Sequence, residues 1–152
     1  MKIEFTTLKE VSHLLKYHYR KNRPIYIRKV IKATIKKEVV GCIIFVYAPL
    51  SIKCRDFKFK DLNKEVCLIS RIIVKPKFRR LGIATKMLKF ALRSGEFKFI
   101  EVIIEKHTKR MTKFLNRLGF ITQMYTAKRG LRLYGFIFMN NIGGKKYDNK
   151  NK

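Results

Sequence analysis

One short segment constrains the fold of this chain more than any other part of its sequence. Residues 72–84 read IIVKPKFRRLGIA, an apolar run that ends at Pro76 and leads through a basic loop into small and apolar residues. The apolar run predicts a strand buried on both faces. The spacing of Ile83, Met87 and Leu88 predicts a helix directly after the loop. The chain must therefore build a sheet with a helix packed across it.

The start of this helix is also the best candidate for a binding site. The first backbone N–H groups of a helix are unpaired, and the helix dipole makes that end positive, so together they bind anions. Gly82 and Ala84 let a phosphate approach the backbone closely, while Arg79, Arg80 and Lys86 can add positive charge. Neither the dinucleotide-binding fingerprint nor the P-loop motif is present.

The remaining elements predict a mixed sheet with helices packed on it, in the order β-α-β-β-β-α-β-α-β-β. The predicted strands are residues 1–5, 26–35, 39–47, 65–74, 99–105, 120–126 and 131–139, and the predicted helices are 7–19, 81–93 and 109–118. A long Lys-rich loop over 49–64 carries Phe57 and Phe59.

Composition narrows the setting and the partners. The chain has 152 residues with a formal net charge of +27, which favours polyanionic partners. Residues 1–139 are expected to form one domain, and the basic segment 140–152 a flexible tail. Cys42, Cys54 and Cys67 form no metal-binding or disulfide pattern, and no apolar run is long enough for a membrane helix, so we expect a cytoplasmic protein without stable membrane insertion.

The pattern V-x-P-x-F-R-x-x-G-I-A over residues 74–84 resembles the pyrophosphate-binding signature of the GNAT superfamily, the acetyl-CoA-dependent N-acetyltransferases. An aromatic-rich helix that ends in Gly119-Phe120 also resembles that superfamily. A closer likeness is to archaeal acetyltransferase-like domains fused to ABC-type ATPases. It rests on His18-Tyr19 before a proline, Val40-Gly41, Leu62-Asn63 and Ile69-Ser70-Arg71.

The resemblance implies a fold, a cofactor and a set of binding residues. The fold would be α/β (α+β), with a mostly antiparallel sheet of six to seven strands and helices on both faces. The cofactor would be acetyl-CoA, with the acceptor amine beside the sheet on the opposite side. The implied contacts are the main chain of Ile72, Ile73 and Val74 for the pantetheine arm, and Arg79, Arg80, Leu81, Gly82, Ile83, Ala84 and Lys86 for the pyrophosphate.

The sequence departs from the family pattern at two catalytic positions. Many relatives have a tyrosine as general acid four residues before the glycine of Gly-Phe, where this chain has Leu115. Many also have a glutamate base before V-x-P, where this chain has Ile69-Ser70-Arg71. Neither loss excludes acetyl transfer, because an amine attacks a thioester readily once the two are positioned, and a backbone amide can stabilise the oxyanion.

Other residues can replace the missing proton donors and acceptors. Glu105 and His107 lie at the end of the strand after the cofactor helix, and Tyr125 or Tyr134 can donate a proton from the last two strands. His18 can face the acceptor. Cys67 lies in the apolar run over residues 65–74, and we expect it to be an inert core residue. Arg71, a charge on an apolar strand, binds either an anionic group of the acceptor or a structural carboxylate.

Two functions remain open at this stage. The first is an N-acetyltransferase whose acceptor is anionic or associated with nucleic acid, such as aminoacyl-tRNA or a ribosomal or nucleic-acid-binding protein. The alternative is an inactive GNAT-like module that binds nucleic acid through its basic surface, where Phe57 and Phe59 between lysines would suit single strands. The sequence is compatible with a monomer or a homodimer.

Overall fold

The computed structural model describes residues 1–49, 61–105 and 109–139. Cys54, Phe57, Phe59, His107 and the segment 140–152 lie outside the described residues. The strands are β1 (Lys2–Thr6), β2 (Ile27–Ile35), β3 (Glu38–Tyr47), β4 (Val66–Val74), β5 (Phe99–Ile104), β6 (Ile121–Ala127) and β7 (Gly130–Phe138). The helices are α1 (Leu8–Val11), α2 (Leu62–Glu65), α3 (Ile83–Arg93) and α4 (Lys109–Arg117).

The seven strands form one sheet in the order β1-β2-β3-β4-β5-β7-β6. All neighbouring pairs are antiparallel except β4 and β5, which run parallel. A parallel pair needs a crossover connection, and α3 supplies it. The mixed, mostly antiparallel fold class predicted from the sequence is confirmed.

Helices pack on both faces of this sheet. Ile43 of β3 belongs to a core with Met87 and Leu88 of α3 and Leu115 of α4. The next residue, Ile44, belongs to a second core with α1, because successive strand residues point to opposite faces. We call the first side the α3 face and the second side the α1 face.

The predicted helix over residues 7–19 was wrong in type and length. The structure has one α-helical turn, α1, followed by a 3₁₀ helix over Ser12–Tyr17. Leu8, Val11 and Leu14 are spaced by three residues and are all buried, and this spacing suits the three-residue turn of a 3₁₀ helix. The short α2 was not predicted, since it falls in the segment read as a loop.

Gly41 brings α3 close to the middle of the sheet. A Cβ atom at this position would lie 2.9 Å from the Ile73 carbonyl oxygen and 3.1 Å from the Met87 side chain. Any larger residue would push β3 away from β4 and α3. Glycine here therefore fixes where α3 begins relative to the end of β4.

A β-bulge in β4 redirects its side chains. Ile44 pairs with Arg71 and the adjacent Phe45 pairs with Ile69, so Ser70 is the extra residue. Ile69 packs on the α3 face before the bulge, whereas Ile73 packs on the α1 face after it. Arg71, two residues from Ile73, shares the α1 face. Without the bulge Arg71 would share the α3 face with Ile69, so the bulge decides on which face the charged side chain of β4 lies.

Candidate active site

A cleft opens in the sheet between β4 and β5. The parallel pairing runs from Val66 opposite Phe99 to Ile69 opposite Val102 and ends there. β4 continues to Val74, and β5 continues to Ile104 while still paired with β7. Beyond Ile69 the β5-facing edge of β4 has no partner strand among the described residues. This edge can accept an extended ligand as an added strand.

The register decides which main-chain groups of β4 face the cleft. The Lys75 amide donates to the Val40 carbonyl across the β3–β4 pair, at 2.8 Å. Antiparallel strands alternate between hydrogen-bonded and non-bonded pairs, so the Ile73 main chain also faces β3, and Ile72 and Val74 face the cleft. The expectation that Ile73 offers its main chain to a ligand is therefore not supported, and Ile72 and Val74 remain.

The start of α3 lies just beyond the end of β4. Gly82 caps the helix in the left-handed conformation, with φ of 74°. The first helical hydrogen bond is from the Lys86 amide to the Gly82 carbonyl, at 3.0 Å. No described residue accepts a hydrogen bond from the amides between Arg80 and Thr85. These N–H groups and the dipole of an eleven-residue helix fit a pyrophosphate group.

The charged side chains of this loop have different roles. Arg79 Nε donates to the Val74 carbonyl at 3.0 Å, and its Nη2 lies 3.4 Å from the Tyr17 carbonyl, so this side chain ties the loop to the strand end. Arg80 and Lys86 are exposed and available to a ligand. Ile83 is buried, so only its amide can contribute. Leu81 is 62% exposed and presents an apolar side chain beside the amides.

The α1 face of the cleft carries a cluster of charged residues around Arg71. The Arg71 side chain is 4% exposed, and its Nη1 donates to the Ser70 carbonyl and hydroxyl at 2.8 and 2.9 Å. Its Nη2 donates to Asn22 Oδ1 at 3.3 Å. Within the described ranges no carboxylate forms an ion pair with it. The structural ion pair that the sequence left open is absent from this part of the chain.

Glu105, a predicted proton acceptor, is held by two arginines. Arg20 forms an ion pair with its Oε1, and Arg132 Nη2 lies 2.9 Å from the same atom. The hydrogen bond from Arg20 holds the pKa of Glu105 below its ordinary value. A carboxylate so stabilised is a poor general base. In the structure Glu105 links the segment before β2, through Arg20, to β7, through Arg132.

His18 lies next to this cluster. Its Nδ1 is 3.1 Å from the Arg20 amide nitrogen and 3.3 Å from the Arg20 carbonyl oxygen. Burial, and then the positive charge of Arg71, lower the pKa of His18. The imidazole is therefore mostly neutral at pH 7. The Arg20 amide donates to Nδ1, so Nδ1 is the nitrogen without a proton and Nε2 carries the N–H, which no described residue accepts.

The remaining predicted residues fall into the sheet and the core. Tyr125 is half-buried and pairs in register with Arg132, which places it on the α1 face. Tyr134 is fully buried, and its hydroxyl donates to Glu101 Oε2 at 2.9 Å. Leu115 is fully buried in the α3-face core, and burial raises the pKa of the Cys67 thiol, so both are core residues.

Sequence reasoning missed three members of the charged cluster. Arg20, Asn22 and Arg132 come from the segment before β2 and from β7, far from β4 in sequence. The only signal was the position of Arg132, opposite Glu105 once the strand order is known.

In the described parts of the chain no group of three or more His, Cys, Asp or Glu could hold a metal ion. No described helix has the length and apolar character that crossing a bilayer requires.

A parallel strand pair that separates beside an anion-binding helix start is the arrangement that the resemblance to acetyl-CoA-dependent N-acetyltransferases predicts for the cofactor site. The acetyltransferase (GNAT) family model matches residues 4–120. The chain therefore belongs to the GNAT family of N-acetyltransferases, whose acetyl donor is acetyl-CoA. Among curated proteins, none matches its sequence.

Solved structures share this fold at low sequence identity. The ribosomal-protein-S18-alanine N-acetyltransferase from Escherichia coli has a TM-score of 0.62 at 11% identity, and the match covers 99% of this chain and 100% of that one. The aminoglycoside 6′-N-acetyltransferase from Enterococcus faecium has a TM-score of 0.65 at 11% identity, over 91% and 97%. A GNAT acetyltransferase from Elizabethkingia anophelis with acetyl-CoA bound has a TM-score of 0.58 at 13% identity, over 90% and 97%.

Proposed function

We propose that this protein transfers an acetyl group from acetyl-CoA to a primary amine whose surroundings are negatively charged. The observation that carries this proposal is the pairing of two features at one end of β4. An open strand edge begins after Ile69, and the amides without an acceptor run from Arg80 into the first turn of α3. Together they suit a ligand with an extended amide-containing arm and a pyrophosphate.

The residues of the cleft divide this work between them. The amides from Arg80 to Ala84 bind the pyrophosphate, with Arg80 and Lys86 adding charge and Arg79 holding the loop in place. The main chain of Ile72 and the amide of Val74 bind the pantetheine arm, whose own amides complete the added strand. When bound, acetyl-CoA supplies the activated thioester.

The acceptor amine approaches from the α1 face. His18 borders the acceptor side, and its Nε2–H, which no described residue accepts, can donate to the acceptor. Tyr125 and His107 remain proposals for proton transfer, and His107 lies outside the described residues. Positioning of the amine and a cleft-facing β4 amide at the developing oxyanion provide the rest of the rate.

The net charge of +27 supports an acceptor that carries or accompanies negative charge. Aminoacyl-tRNA, a ribosomal protein or a nucleic-acid-binding protein would satisfy this condition. The Escherichia coli neighbour is named for acetylating the alanine of a ribosomal protein. We do not favour the alternative of an inactive nucleic-acid-binding module, since both parts of the cofactor cleft are intact. The likeness to domains fused to ABC-type ATPases, the cytoplasmic setting and the choice between monomer and homodimer stay predictions.

Thiol release tests the proposed function. Purified protein is incubated with acetyl-CoA and fractionated amine acceptors, and free CoA is measured with a thiol reagent. We expect release that depends on both the protein and the amine, and an acetylated product visible by mass spectrometry. If the protein does not bind acetyl-CoA at micromolar concentrations, the proposed function is excluded. If the protein binds RNA with an affinity that falls steeply as the salt concentration rises, and no acetyl transfer is detected, the binding module would be favoured instead.

A further inference from the structure

Arg71 is a buried cation without a counter-ion in the described structure. Its side chain is 4% exposed, yet its hydrogen-bond partners, Ser70 and Asn22, are all neutral. Burying an unpaired charge is strongly unfavourable, and proteins normally compensate it with an ion pair. A guanidinium held this way, on the part of β4 that follows the last pairing with β5, is suited to receive an anion from outside the chain.

The unused donors of Arg71 define the shape of that anion. Nε is buried and has no hydrogen-bond partner among the described residues. Nη2 has two N–H groups, of which Asn22 accepts one. Nε–H and one N–H of Nη2 are therefore left for an incoming anion, and two donors are the number that a bidentate carboxylate or phosphate needs. Nη1 is anchored on both sides by Ser70, which fixes the plane of the guanidinium.

The surrounding charges leave this position electrostatically unsatisfied. Glu105 attracts Arg71 at longer range, but its carboxylate is engaged by Arg20 and Arg132, and Arg129 adds further positive charge. Burial, and then the charge of Arg20, lower the pKa of Arg71. Guanidiniums thus outnumber carboxylates in this part of the α1 face, and an incoming anion would balance them.

The position of Arg71 limits the size of the acceptor. Arg71 directly precedes Ile72, whose main chain faces the cleft where the thioester is expected. An anion on the guanidinium therefore lies within about one arginine side chain of the reacting amine. A long acceptor would have to place its negative charge farther away.

We propose that Arg71 binds the carboxylate or phosphate of a compact amine acceptor, so that the substrate class is an amino acid or an aminoalkyl phosphate. This inference rests on the proposed acetyl transfer, and it replaces the macromolecular acceptors named there with a small anionic amine. The bidentate contact positions the amine beside β4, and His18 is close enough to Arg71 to feel its charge. Arg71 would thus determine specificity without itself moving a proton.

Nuclear magnetic resonance of arginine side chains tests the contact directly. The Nε–H resonance of Arg71, identified by its loss in Arg71→Lys, is followed while small amines are added to the full chain saturated with CoA. The probes are glycine against glycinamide, and phosphoethanolamine against ethanolamine. We expect the resonance to shift with at least one anionic probe and with neither neutral one. The responding anion distinguishes carboxylate from phosphate. No shift with either anion at tens of millimolar would overturn the proposal.

Kinetics provide the second test, with Arg93→Met as matched control because Arg93 is exposed at the far end of α3. We expect kcat/KM to favour the anionic member of each probe pair by about 10- to 100-fold, the usual worth of a charge-assisted hydrogen bond. Arg71→Met should abolish this preference and leave acetyl-CoA affinity unchanged, while Arg93→Met should keep both. A preference retained in Arg71→Met, or wild-type protein that acetylates both members equally, would contradict the proposal.

Two readouts separate the possible failures. Loss of acetyl-CoA binding by the wild-type chain would defeat the proposed function itself. Intact acetyl-CoA binding with no discrimination between the probes would defeat only the assignment of Arg71. If Arg71→Met does not fold, Arg71→Lys is used instead, because lysine keeps the charge but cannot make the bidentate contact. The ratio of kcat/KM between the anionic and the neutral probe should then be smaller than in the wild type.

Discussion

Arg79 joins the cofactor loop to the end of the strand before it, through a 3.0 Å hydrogen bond from its Nε to the Val74 carbonyl. Val74 is the last residue of β4, and Arg79 lies three residues before the cap of α3. The bond therefore sets the distance between the two parts of the cleft that acetyl-CoA must span.

Arg79→Met should weaken acetyl-CoA binding although its side chain is turned away from the phosphates. Loss of one exposed, charge-assisted hydrogen bond corresponds to about 1 kcal/mol, or roughly a fivefold higher Kd. Isothermal titration calorimetry measures this change, with Arg93→Met as control. An unchanged Kd in Arg79→Met would show that the loop keeps its position without this bond.

Gly41→Ala should destabilise the fold. The new Cβ would lie 2.9 Å from the Ile73 carbonyl oxygen, so β3 must move away from β4 at an expected cost of about 1–3 kcal/mol. Gly95→Ala serves as a comparison. An added Cβ at Gly95 meets open space, so the only cost is that of holding alanine in the left-handed conformation at φ of +73°, about 1–2 kcal/mol. Urea denaturation compares the two. A Gly41→Ala variant as stable as the wild type would mean that α3 is not held in place by this contact.

Leu115 occupies the position of the family's usual general-acid tyrosine, and the structure makes it a core residue. Leu115→Ala should lower the free energy of unfolding by about 2–5 kcal/mol. Leu115→Tyr should also destabilise the protein without raising kcat, because the side chain lies on the α3 face, packed among α4, β5 and β7. A stable Leu115→Tyr variant with increased kcat would show instead that this position reaches the leaving thiolate.

Glu105 should make stability depend on acid pH. Its pKa is lowered in the folded state from the ordinary 4.5 by Arg20 and Arg132. A lowered carboxyl pKa stabilises the fold above about pH 4.5, and this stabilisation is lost as the pH falls through the folded pKa. Glu105→Gln should therefore be less stable than wild type at pH 7, with the difference shrinking towards pH 3. Urea titrations measure the free energy of unfolding of both proteins from pH 7 to pH 3. A difference between them that stays constant over this range would show that the charge of Glu105 does not contribute to stability.

The sequence predicted the elements well where hydrophobic periodicity was strong. β3, β4 and α3 begin and end within two residues of their predicted bounds, because long apolar runs and a regular helical face leave one arrangement. The N-terminal helix failed since Leu8, Val11 and Leu14 fit both a 3₁₀ and an α-helical spacing. α2 was missed because a single turn carries no periodic signal.

The site was predictable only where it is local in sequence. The loop from Arg79 to Ala84 is one continuous segment, so its composition revealed it. The bulge at Ser70, which turns Arg71 into the α1 face, depends on pairing with β3 and leaves no mark in the apolar pattern of β4. The ion pairs of Glu105 join residues about thirty to eighty-five positions apart, which only the strand order brings together.

The central claim is that the start of α3 binds the pyrophosphate of acetyl-CoA, and two glycines of this helix allow a matched test. Gly82 and Gly95 flank α3 at its start and just beyond its end, with φ of +74° and +73°, and a Cβ added to either would meet no other atom within 4 Å. Glutamate at either position brings the same strain and the same charge. By calorimetry, Gly82→Glu should lose measurable acetyl-CoA binding, whereas Gly95→Glu should retain the wild-type Kd. Equal affinity in the two variants would contradict the account.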